Sequence, residues 1–490
     1  MKRDWRLEVG NWSDGLVFVS ALALYIKTLS PSVYTFDSAE LAAGAYSLGI
    51  IHATGYPLYL MLAKGFTLLV PFGDIAYRVN LFSATSAALA LVVLRRVVLR
   101  LTGSPGAATL ATAAFGLSYP FWSEAIVAEV YTLHILFLTA ALLASLRWRE
   151  SEAARDFILL ALIFGLSFGN HMSTILIAPG LAALLWERRP SLRLWLIGAA
   201  AFVMGPFTYL YLPIRYAADP ALNYAPIMGV DLSTLRGVLW MVRGAMFADS
   251  MFGYTLAELP LQLLDFLSLL WETFFGVGLV VASVGAWEEW RRDRGVFVGL
   301  AVILLANVIF YLNYRVFDKH TMFLPVFVVV ALWLGAGLKW LSERLPTARW
   351  GVVAVLAVML IFNYPRVDLS GDTVTRDFAA RQLRAVPRNA VIIGGWIDIT
   401  PLQYLQVVEG QRPDVMVFDF GLYTLGRRAA LRSQNVDGPA MQEIIAEEIV
   451  RRVNDDLVAG RPVFSLGPIP LLEAHFALTA EGDLFRIAER

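Results

Sequence analysis

Three ionisable side chains in the stretch 36–57 (FDSAELAAGAYSLGIIHATGYP) are of types that can transfer protons. Asp37 and Glu40 are three residues apart, so they share one face if this stretch forms a helix. His52 precedes a Gly-Tyr-Pro sequence that ends such a helix. We expect Asp37 to be the general base that activates a hydroxyl, with Glu40 as a second catalytic acid. The alternative is structural, with Asp37 as the helix N-cap and Glu40 at the third helical position.

Glu124 and Glu129, in the sequence WSEAIVAEVY, form a second acidic motif. They are five residues apart, so they do not stack on one helix face. We expect them to belong to an acceptor site. The alternative is a solvated helix start, where acidic residues interact favourably with the helix dipole.

Phosphate binding requires cationic or hydrogen-bonding groups, and several histidine and basic residues could supply them. The residues that we expect to bind a donor phosphate or sugar are His52, His171, Arg215, Lys319 and His320. The structural alternatives are a turn residue for His52 and hairpin hydrogen bonding for His171. For Arg215 the alternative is snorkelling to a membrane surface, and for the other two it is an interfacial anchor.

The sequence argues against several other kinds of chemistry. It has no cysteine, which excludes disulfides and thiolate catalysis. It contains neither a GxxxxGK[ST] motif nor an HExxH motif, and its five histidines are scattered. We therefore predict no metal site and no cofactor, although a divalent metal stays open. The formal net charge of zero gives no indication of nucleic-acid binding.

The composition is that of a polytopic membrane protein. Of 490 residues, 58% are hydrophobic and only 16% are charged, and the mean hydropathy is +0.62. Apolar segments recur up to about residue 364. The eleven predicted spans are 15–30, 77–95, 105–121, 131–147, 156–169, 174–187, 194–212, 262–287, 295–313, 321–341 and 348–364.

The distribution of basic residues predicts the orientation of these spans. The apolar segment 57–71 has proline at both ends and contains Lys64. If it lies at the membrane surface, six basic clusters, the first at Lys2, Arg3 and Arg6, fall on one side, which the positive-inside rule makes cytoplasmic. We therefore expect a multi-pass protein of the cell membrane with a cytoplasmic N-terminus. All the candidate site residues then fall on the opposite face.

Residues 365–490 differ in character from the preceding chain. The segments 389–395, 413–420 and 462–466 are typical of short strands, and 373–386 and 440–458 of amphipathic helices. We predict a transmembrane domain over 1–364 and a small extracytoplasmic α/β domain over 365–490.

Four segments together resemble one known family. FDSAELAAGAYSLGIIHATGYPLYLMLAK is similar to the first-loop motif of the bacterial and animal transmembrane O-mannosyltransferase-like family, within the GT-C superfamily. SYPFWSEAIVAEVYTLH and GLSFGNHMSTILIAPG resemble its second and third motifs, and residues 389–419 resemble the region after its last span. Ala39 stands where the family has glycine, and His52-Ala53-Thr54-Gly55 replaces a His-Pro-Pro-Gly turn.

The resemblance implies an α-helical GT-C membrane protein with juxtamembrane helices and a C-terminal soluble domain. It also implies transfer of a hexose, expected to be mannose, from a polyprenyl-phosphate donor to a hydroxyl of a protein or glycan. Asp37 would be the catalytic or acceptor-orienting acid. Two other functions stay open. A transporter of lipid-linked sugars would show inverted repeats, which the sequence lacks, and a glycan-binding scaffold would not need carboxylates at the membrane.

Overall fold

The computed structural model describes residues 12–316 and 318–490. The basic residues Lys2, Arg3 and Arg6, which support the predicted orientation, lie outside the described residues. The helices are α1 (Trp12–Thr28), α2 (Asp37–Ser47), α3 (Pro57–Leu69), α4 (Ile75–Thr102), α5 (Pro105–Gly116), α6 (Tyr119–Ala125), α7 (Tyr131–Ser151), α8 (Ala154–Asn170), α9 (Ala178–Leu185), α10 (Leu192–Val203), α11 (Tyr211–Ala217), α12 (Leu235–Val242), α13 (Leu259–Thr273), α14 (Val277–Arg292), α15 (Arg294–Leu312), α16 (Leu324–Arg344), α17 (Ala348–Val367), α18 (Val374–Ala385), α19 (Trp396–Val407), α20 (Phe420–Arg432), α21 (Gly438–Val458) and α22 (Pro470–His475). The strands are β1 (Val391–Gly394), β2 (Met416–Asp419), β3 (Val463–Ser465), β4 (Ala477–Glu481) and β5 (Leu484–Ala488). Short 3-10 turns at Met172–Ile177, Pro206–Leu210, Ala245–Phe247 and Thr321–Phe323 connect some of them.

The predicted helical membrane fold is confirmed. Each of the eleven predicted spans coincides with helical structure. Within the described residues, six helical segments are long and apolar enough to cross a membrane, and one bent pair of helices would make a seventh. The exact number of spans stays a prediction, because the shorter helices fall below the length that a perpendicular span requires.

The bent pair corresponds to the predicted span 262–287. Instead of one continuous helix, α13 and α14 meet at 96°. The break lies at 274–276, where Phe275 and Gly276 both have positive φ. Gly276 is the residue that permits this backbone, since left-handed φ costs glycine little.

The apolar segment 57–71 forms α3, which is only 13 residues long. At 1.5 Å per residue it is about 20 Å long, less than the roughly 30 Å of a hydrocarbon core. Pro57 occupies its first position, where its missing N–H is not needed. The length is consistent with the predicted interfacial position, which stays a prediction.

The chain forms two compact units, and each is built from separated segments. The first comprises residues up to Leu29, Leu81–Thr208 and Asp249–Ser370. The second comprises Ser30–Asn80, Tyr209–Ala248 and Gly371–Arg490. The predicted division at 364/365 stays a prediction. The second unit includes the first loop, which that division assigned to the transmembrane domain.

In the first unit, α16 is deeply buried, since every residue from Leu324 to Leu338 except Trp333 is buried. It packs closely on α14 because both helices present glycine at the crossing. A Cβ at Gly285 would lie 1.8 Å from the Trp333 carbonyl oxygen, and a Cβ at Gly337 would lie 1.9 Å from that of Val281. Small residues of this kind allow close backbone approach in membrane helix pairs.

The second unit contains a five-stranded sheet in the order β2-β1-β3-β5-β4. The three strands predicted from sequence are β1, β2 and β3, and these are mutually parallel. The hairpin β4–β5 adds two antiparallel strands that were not predicted. α21 packs its apolar face, including Ile445 and Val453, into the core of this unit. The carboxyl ends of β1 and β2 therefore meet at one edge, where α/β sheets commonly bind ligands.

Candidate active site in the first loop

The first-loop helix α2 carries both predicted acids in its first turn. It begins at Asp37, and Phe36 stands at the N-cap position without a side-chain hydrogen bond. Glu40 is only 1% exposed, and the side chain of Asp37 is 15% exposed. The capping alternative is wrong for Glu40, because its carboxylate accepts hydrogen bonds from His52 and Trp396 and not from the start of α2. A carboxylate buried to this degree is costly unless it is hydrogen bonded.

Glu40 binds His52 through two hydrogen bonds. Its Oε1 accepts one from the His52 backbone N–H at 2.7 Å and one from the His52 Nδ1 at 2.9 Å. Because a carboxylate only accepts, Nδ1 carries a proton and Nε2 is the basic nitrogen of the neutral ring. Nε2 lies 3.0 Å from the Tyr56 hydroxyl and 3.8 Å from Asp37 Oδ2. The three residues predicted from the first loop thus converge.

A tryptophan of the C-terminal segment completes this cluster. Trp396 begins α19, directly after β1 and the Gly394-Gly395 turn. Its indole Nε1 donates a hydrogen bond to Glu40 Oε2 at 2.6 Å, and its ring lies 5.6 Å from that of His52 at an interplanar angle of 81°. Sequence reasoning did not identify this residue, which is 356 positions from its partner.

Asp419 is a further buried acid near Glu40. It ends β2 and caps α20, with Oδ1 accepting a hydrogen bond from the Leu422 N–H at 2.9 Å. Burial, together with the charge of Glu40, raises the pKa of Asp419 to about 7. Burial and the charges of these two acids also raise the pKa of Tyr224, whose hydroxyl donates to Gln403. An acid that ends a buried apolar strand is a signal that could have identified Asp419.

We call Asp37, Glu40, His52, Tyr56 and Trp396 the acid cluster. It combines a buried carboxylate, an imidazole with one defined basic nitrogen and a more accessible carboxylate. Such an arrangement can accept a proton from a hydroxyl and move it along an Asp–His–Glu chain.

Comparison with known proteins finds relatives of this chain, and the matched region includes the first loop. The family model "Protein O-mannosyl-transferase TMEM260 N-terminal domain" matches residues 37–193, beginning at Asp37. Protein O-mannosyl-transferase TMEM260 from Mus musculus is 29% identical over 85% of this chain and 64% of its own length. Its counterpart from Dictyostelium discoideum is 21% identical over 82% of this chain and 56% of its own length. The chain thus spans less than two thirds of either relative.

A solved structure covers nearly the whole chain. The crystal structure of ArnT from Cupriavidus metallidurans, bound to undecaprenyl phosphate, matches 98% of this chain and 98% of its own with a TM-score of 0.62. This chain adopts the GT-C fold. At 14% identity the likeness shows the fold alone. With its apolar helices, the GT-C fold makes the chain a multi-pass membrane protein.

Within this GT-C chain, Arg215 lies in the same unit as the acid cluster but at the opposite end of α2. Its Nε and Nη2 donate to the carbonyl oxygens of Leu48 and Ser47 at 2.7 and 3.1 Å. A cation is favourable at a helix C-terminus, where carbonyls lack partners. Because α2 has 11 residues, this site is about 15 Å along the helix from Asp37. Donor binding by Arg215 stays a prediction.

The second and third sequence motifs meet in the first unit. Glu124 in α6 and Glu129 before α7 are 7% and 8% exposed. The Glu129 backbone N–H donates to Ser83 Oγ at 3.1 Å. The ring of His171 lies 5.5 Å from that of Tyr131, and its Nδ1 is 2.5 Å from Ser173 Oγ. Hydrogen bonding within the turn, which is the structural alternative for His171, is therefore present. The expected roles of Glu124, Glu129 and His171 stay predictions.

Lys319 and His320 also lie in the first unit. The Lys319 Nζ is 4.7 Å from the centre of the Tyr254 ring and hydrogen bonds to Gln262. Burial lowers the pKa of His320, although Asp318 opposes this effect. The lowered pKa makes His320 a neutral hydrogen-bonding group at neutral pH.

Among residues 12–316 and 318–490, no group of three or more histidine, cysteine, aspartate or glutamate side chains is arranged to hold a metal ion. This finding does not test whether the reaction needs a metal ion. That it needs none stays a prediction.

Proposed function

We propose that this chain is a glycosyltransferase that moves a hexose from a polyprenyl-phosphate donor to a hydroxyl of a protein or glycan. The observation that carries the proposal is the acid cluster in the first loop of a GT-C fold. The O-mannosyl-transferase relatives support a glycosyl transfer and favour mannose. The ArnT structure, bound to undecaprenyl phosphate, supports a lipid-linked donor.

In the proposed reaction Asp37 takes the proton of the acceptor hydroxyl, because its side chain is the more accessible of the two first-turn acids. The hydroxyl oxygen then attacks the anomeric carbon and the bond to the lipid phosphate breaks, with inversion. His52 Nε2, 3.8 Å from Asp37, can receive the proton, since apo distances often shorten when substrate binds. The adjacent Glu40 carboxylate stabilises the imidazolium that results.

Glu40 has a different role in this proposal from the catalytic one expected from sequence. Both of its oxygens are occupied by donors and it is almost fully buried. It therefore orients and supports His52. The departing lipid phosphate would be stabilised by cations, for which Lys319 and Arg215 remain the predicted candidates, with His320 as a hydrogen-bond donor. We place the reaction on the extracytoplasmic face, as the charge distribution predicts.

The test is a transfer assay on purified protein in detergent. Radiolabelled polyprenyl-phosphate-mannose is the donor, and proteins and glycans of the host lysate are the acceptors. We expect the wild type to label a macromolecule and Asp37→Asn to lose at least about 100-fold in rate, since general bases contribute about 10²–10⁴-fold. Asp483→Asn, an exposed aspartate of the same unit, is the matched control and should retain activity.

Transfer by Asp37→Asn at the wild-type rate would remove Asp37 from the mechanism. If mannose is not transferred but another polyprenyl-phosphate sugar binds, the donor assignment is wrong and the enzyme class stands. If no lipid-linked sugar binds, the glycosyltransferase proposal is wrong.

A further inference from the structure

We propose that Trp396 is a positioning residue of the acid cluster, so that helix α19 of the C-terminal segment completes a site that the first loop begins. The kinetic consequence rests on the proposed glycosyl transfer, whereas the hydrogen-bond arrangement does not. The family model that matches this chain ends at residue 193, so Trp396 lies outside the matched region.

The first step of the argument is the number of donors to Glu40. Its carboxylate accepts two hydrogen bonds from His52 at Oε1 and one from Trp396 at Oε2. With Glu40 only 1% exposed, bulk water cannot replace a lost donor. Removing the indole N–H therefore leaves a buried carboxylate oxygen unsatisfied, which is far more costly than losing an exposed hydrogen bond.

The second step is the orientation of His52. Glu40 Oε1 fixes the proton on Nδ1 and so leaves Nε2 towards Asp37 and Tyr56. The Trp396 ring lies against the His52 ring at 81°, which restricts rotation of the imidazole. Trp396 thus acts on His52 twice, through the carboxylate and through ring contact. The titratable groups around the Glu40–His52 pair, within the part of the chain that the structure describes, are Asp37 and Tyr56 of the first loop, Tyr224 and Asp419.

The third step is what holds Trp396. It is the first residue of α19, and α19 is joined to first-loop segments at two points. At its start Trp396 binds Glu40, and two turns later the Tyr404 hydroxyl accepts a hydrogen bond from the Ala76 N–H at 3.1 Å. Tyr404 is fully buried. The indole is therefore placed by a helix anchored at both ends, rather than by a flexible loop.

Trp396→Phe is the variant that isolates the hydrogen bond, because it keeps an aromatic ring and removes the N–H. Trp148→Phe is the matched control: its indole N–H donates to the Arg188 carbonyl at 2.7 Å, in the first unit. Glu40→Gln is the second variant, which removes the charge that both Trp396 and His52 bind. Trp396→His restores a ring N–H donor and serves as the rescue.

The first measurement is ¹⁵N NMR of histidine-labelled protein across a pH titration, with the His52 signals assigned by their loss in His52→Gln. The wild type should show a single neutral tautomer protonated at Nδ1. Trp396→Phe and Glu40→Gln should show a mixture of tautomers, and Trp148→Phe and Trp396→His should resemble the wild type. If Trp396→Phe does not fold, Trp396→Leu, which also lacks the N–H donor, replaces it. Unchanged His52 signals in the folded variant would overturn the proposal.

The second measurement is the rate of sugar transfer. We expect Trp396→Phe to lower kcat by about 10- to 100-fold, as is usual for residues that orient a reacting group, and to leave KM unchanged. A change confined to KM would overturn the positioning role and indicate substrate contact. If the wild type transfers no sugar, the proposed function fails, while the NMR result still decides whether Trp396 sets the state of His52.

Discussion

Two buried carboxylates, one in each unit, show how the partner of an acid decides what the acid can do. Asp14 of α1 is 8% exposed and binds Arg95 and Arg96 of α4 at 2.5 and 2.9 Å. Glu40 of α2 is 1% exposed and binds His52 and Trp396. A guanidinium keeps its charge at any physiological pH, whereas an imidazole gains or loses a proton near neutrality.

The difference separates an acid that holds two helices together from one that, in the proposed reaction, supports a proton acceptor. The Asp14–Arg95 pair cannot pass a proton on, so its role is to connect α1 and α4. The Glu40–His52 pair can change protonation without losing its geometry, because the backbone N–H of His52 and the indole of Trp396 still donate to Glu40. Burial alone therefore does not identify a catalytic acid. The variants below test this contrast, from the largest expected effect to the smallest.

Arg95→Met should have the largest effect on stability. Arg95 is 1% exposed, and its loss leaves Asp14 with the partly exposed Arg96 as its charged partner among residues 12–316 and 318–490. Breaking one half of a buried ion pair costs about 3–5 kcal/mol. We expect a large drop in the thermal midpoint in detergent and an unchanged transfer rate per folded molecule.

Asp14→Asn combined with Arg95→Met should recover part of this loss, because no buried charge is left unpaired and Arg96, which also loses Asp14, is partly exposed. Arg291→Met, at an exposed arginine, is the control. If Arg95→Met melts like that control, the Asp14–Arg95 pair does not hold these helices.

His52→Gln should show the opposite pattern to Arg95→Met, with a loss of transfer rate and not of stability. The glutamine amide can still donate to Glu40 but cannot take up a proton, so we expect transfer to fall by about 10²–10⁴-fold with a nearly unchanged thermal midpoint. His475→Gln, at an exposed histidine of the same unit, is the control. Loss of folding comparable to that of Arg95→Met would mean that the two buried pairs are both structural.

Asp419→Asn should have a smaller, pH-dependent effect. The folded carboxyl keeps its proton up to about pH 7, whereas in the unfolded chain it loses the proton near its ordinary pKa of about 3.9. Stability from this group is therefore full at acidic pH and is lost as pH rises from about 4 to about 7. Asn cannot ionise, so the thermal midpoint of Asp419→Asn should rise relative to that of the wild type as the pH increases over that interval.

Asp414→Asn supplies a control of opposite sign. The Arg412 guanidinium holds the pKa of Asp414 well below its usual range, so this acid stabilises the folded state at neutral pH. Its variant should be less stable than the wild type at pH 7, and the two should converge in acid. Parallel pH dependences for the two variants would contradict the protonation assigned to Asp419.

Local spacing was enough to predict much of the first-loop site. The helical period places Asp37 and Glu40 on one helix, as the structure has them, but the prediction that Gly-Tyr-Pro ends this helix is wrong, because α2 ends at Ser47, before His52. The parallel strands β1, β2 and β3 could be predicted because their apolar runs are short and bounded by turn residues. These features depend on interactions within a few tens of residues.

The features that sequence did not reveal depend on long-range packing. The hydrogen bond between Trp396 and Glu40 joins residues 356 positions apart, and no local period indicates it. The bend between α13 and α14 lies inside an apolar run that contains three glycines, Gly276, Gly278 and Gly285, so the sequence pattern does not single out Gly276. The hydrogen bond from Arg215 to the C-terminus of α2 likewise depends on the tertiary fold.

The separation between Trp396 and Glu40 also has a consequence during synthesis. At about 5–20 residues per second, a ribosome needs roughly 18–70 seconds to reach residue 396 after residue 40. Throughout that interval the Glu40 carboxylate lacks its indole donor, and its native, buried state is not yet available to it. The acid cluster therefore forms late, and a nascent chain that stops before α19 carries the first-loop acids without the indole that completes the cluster.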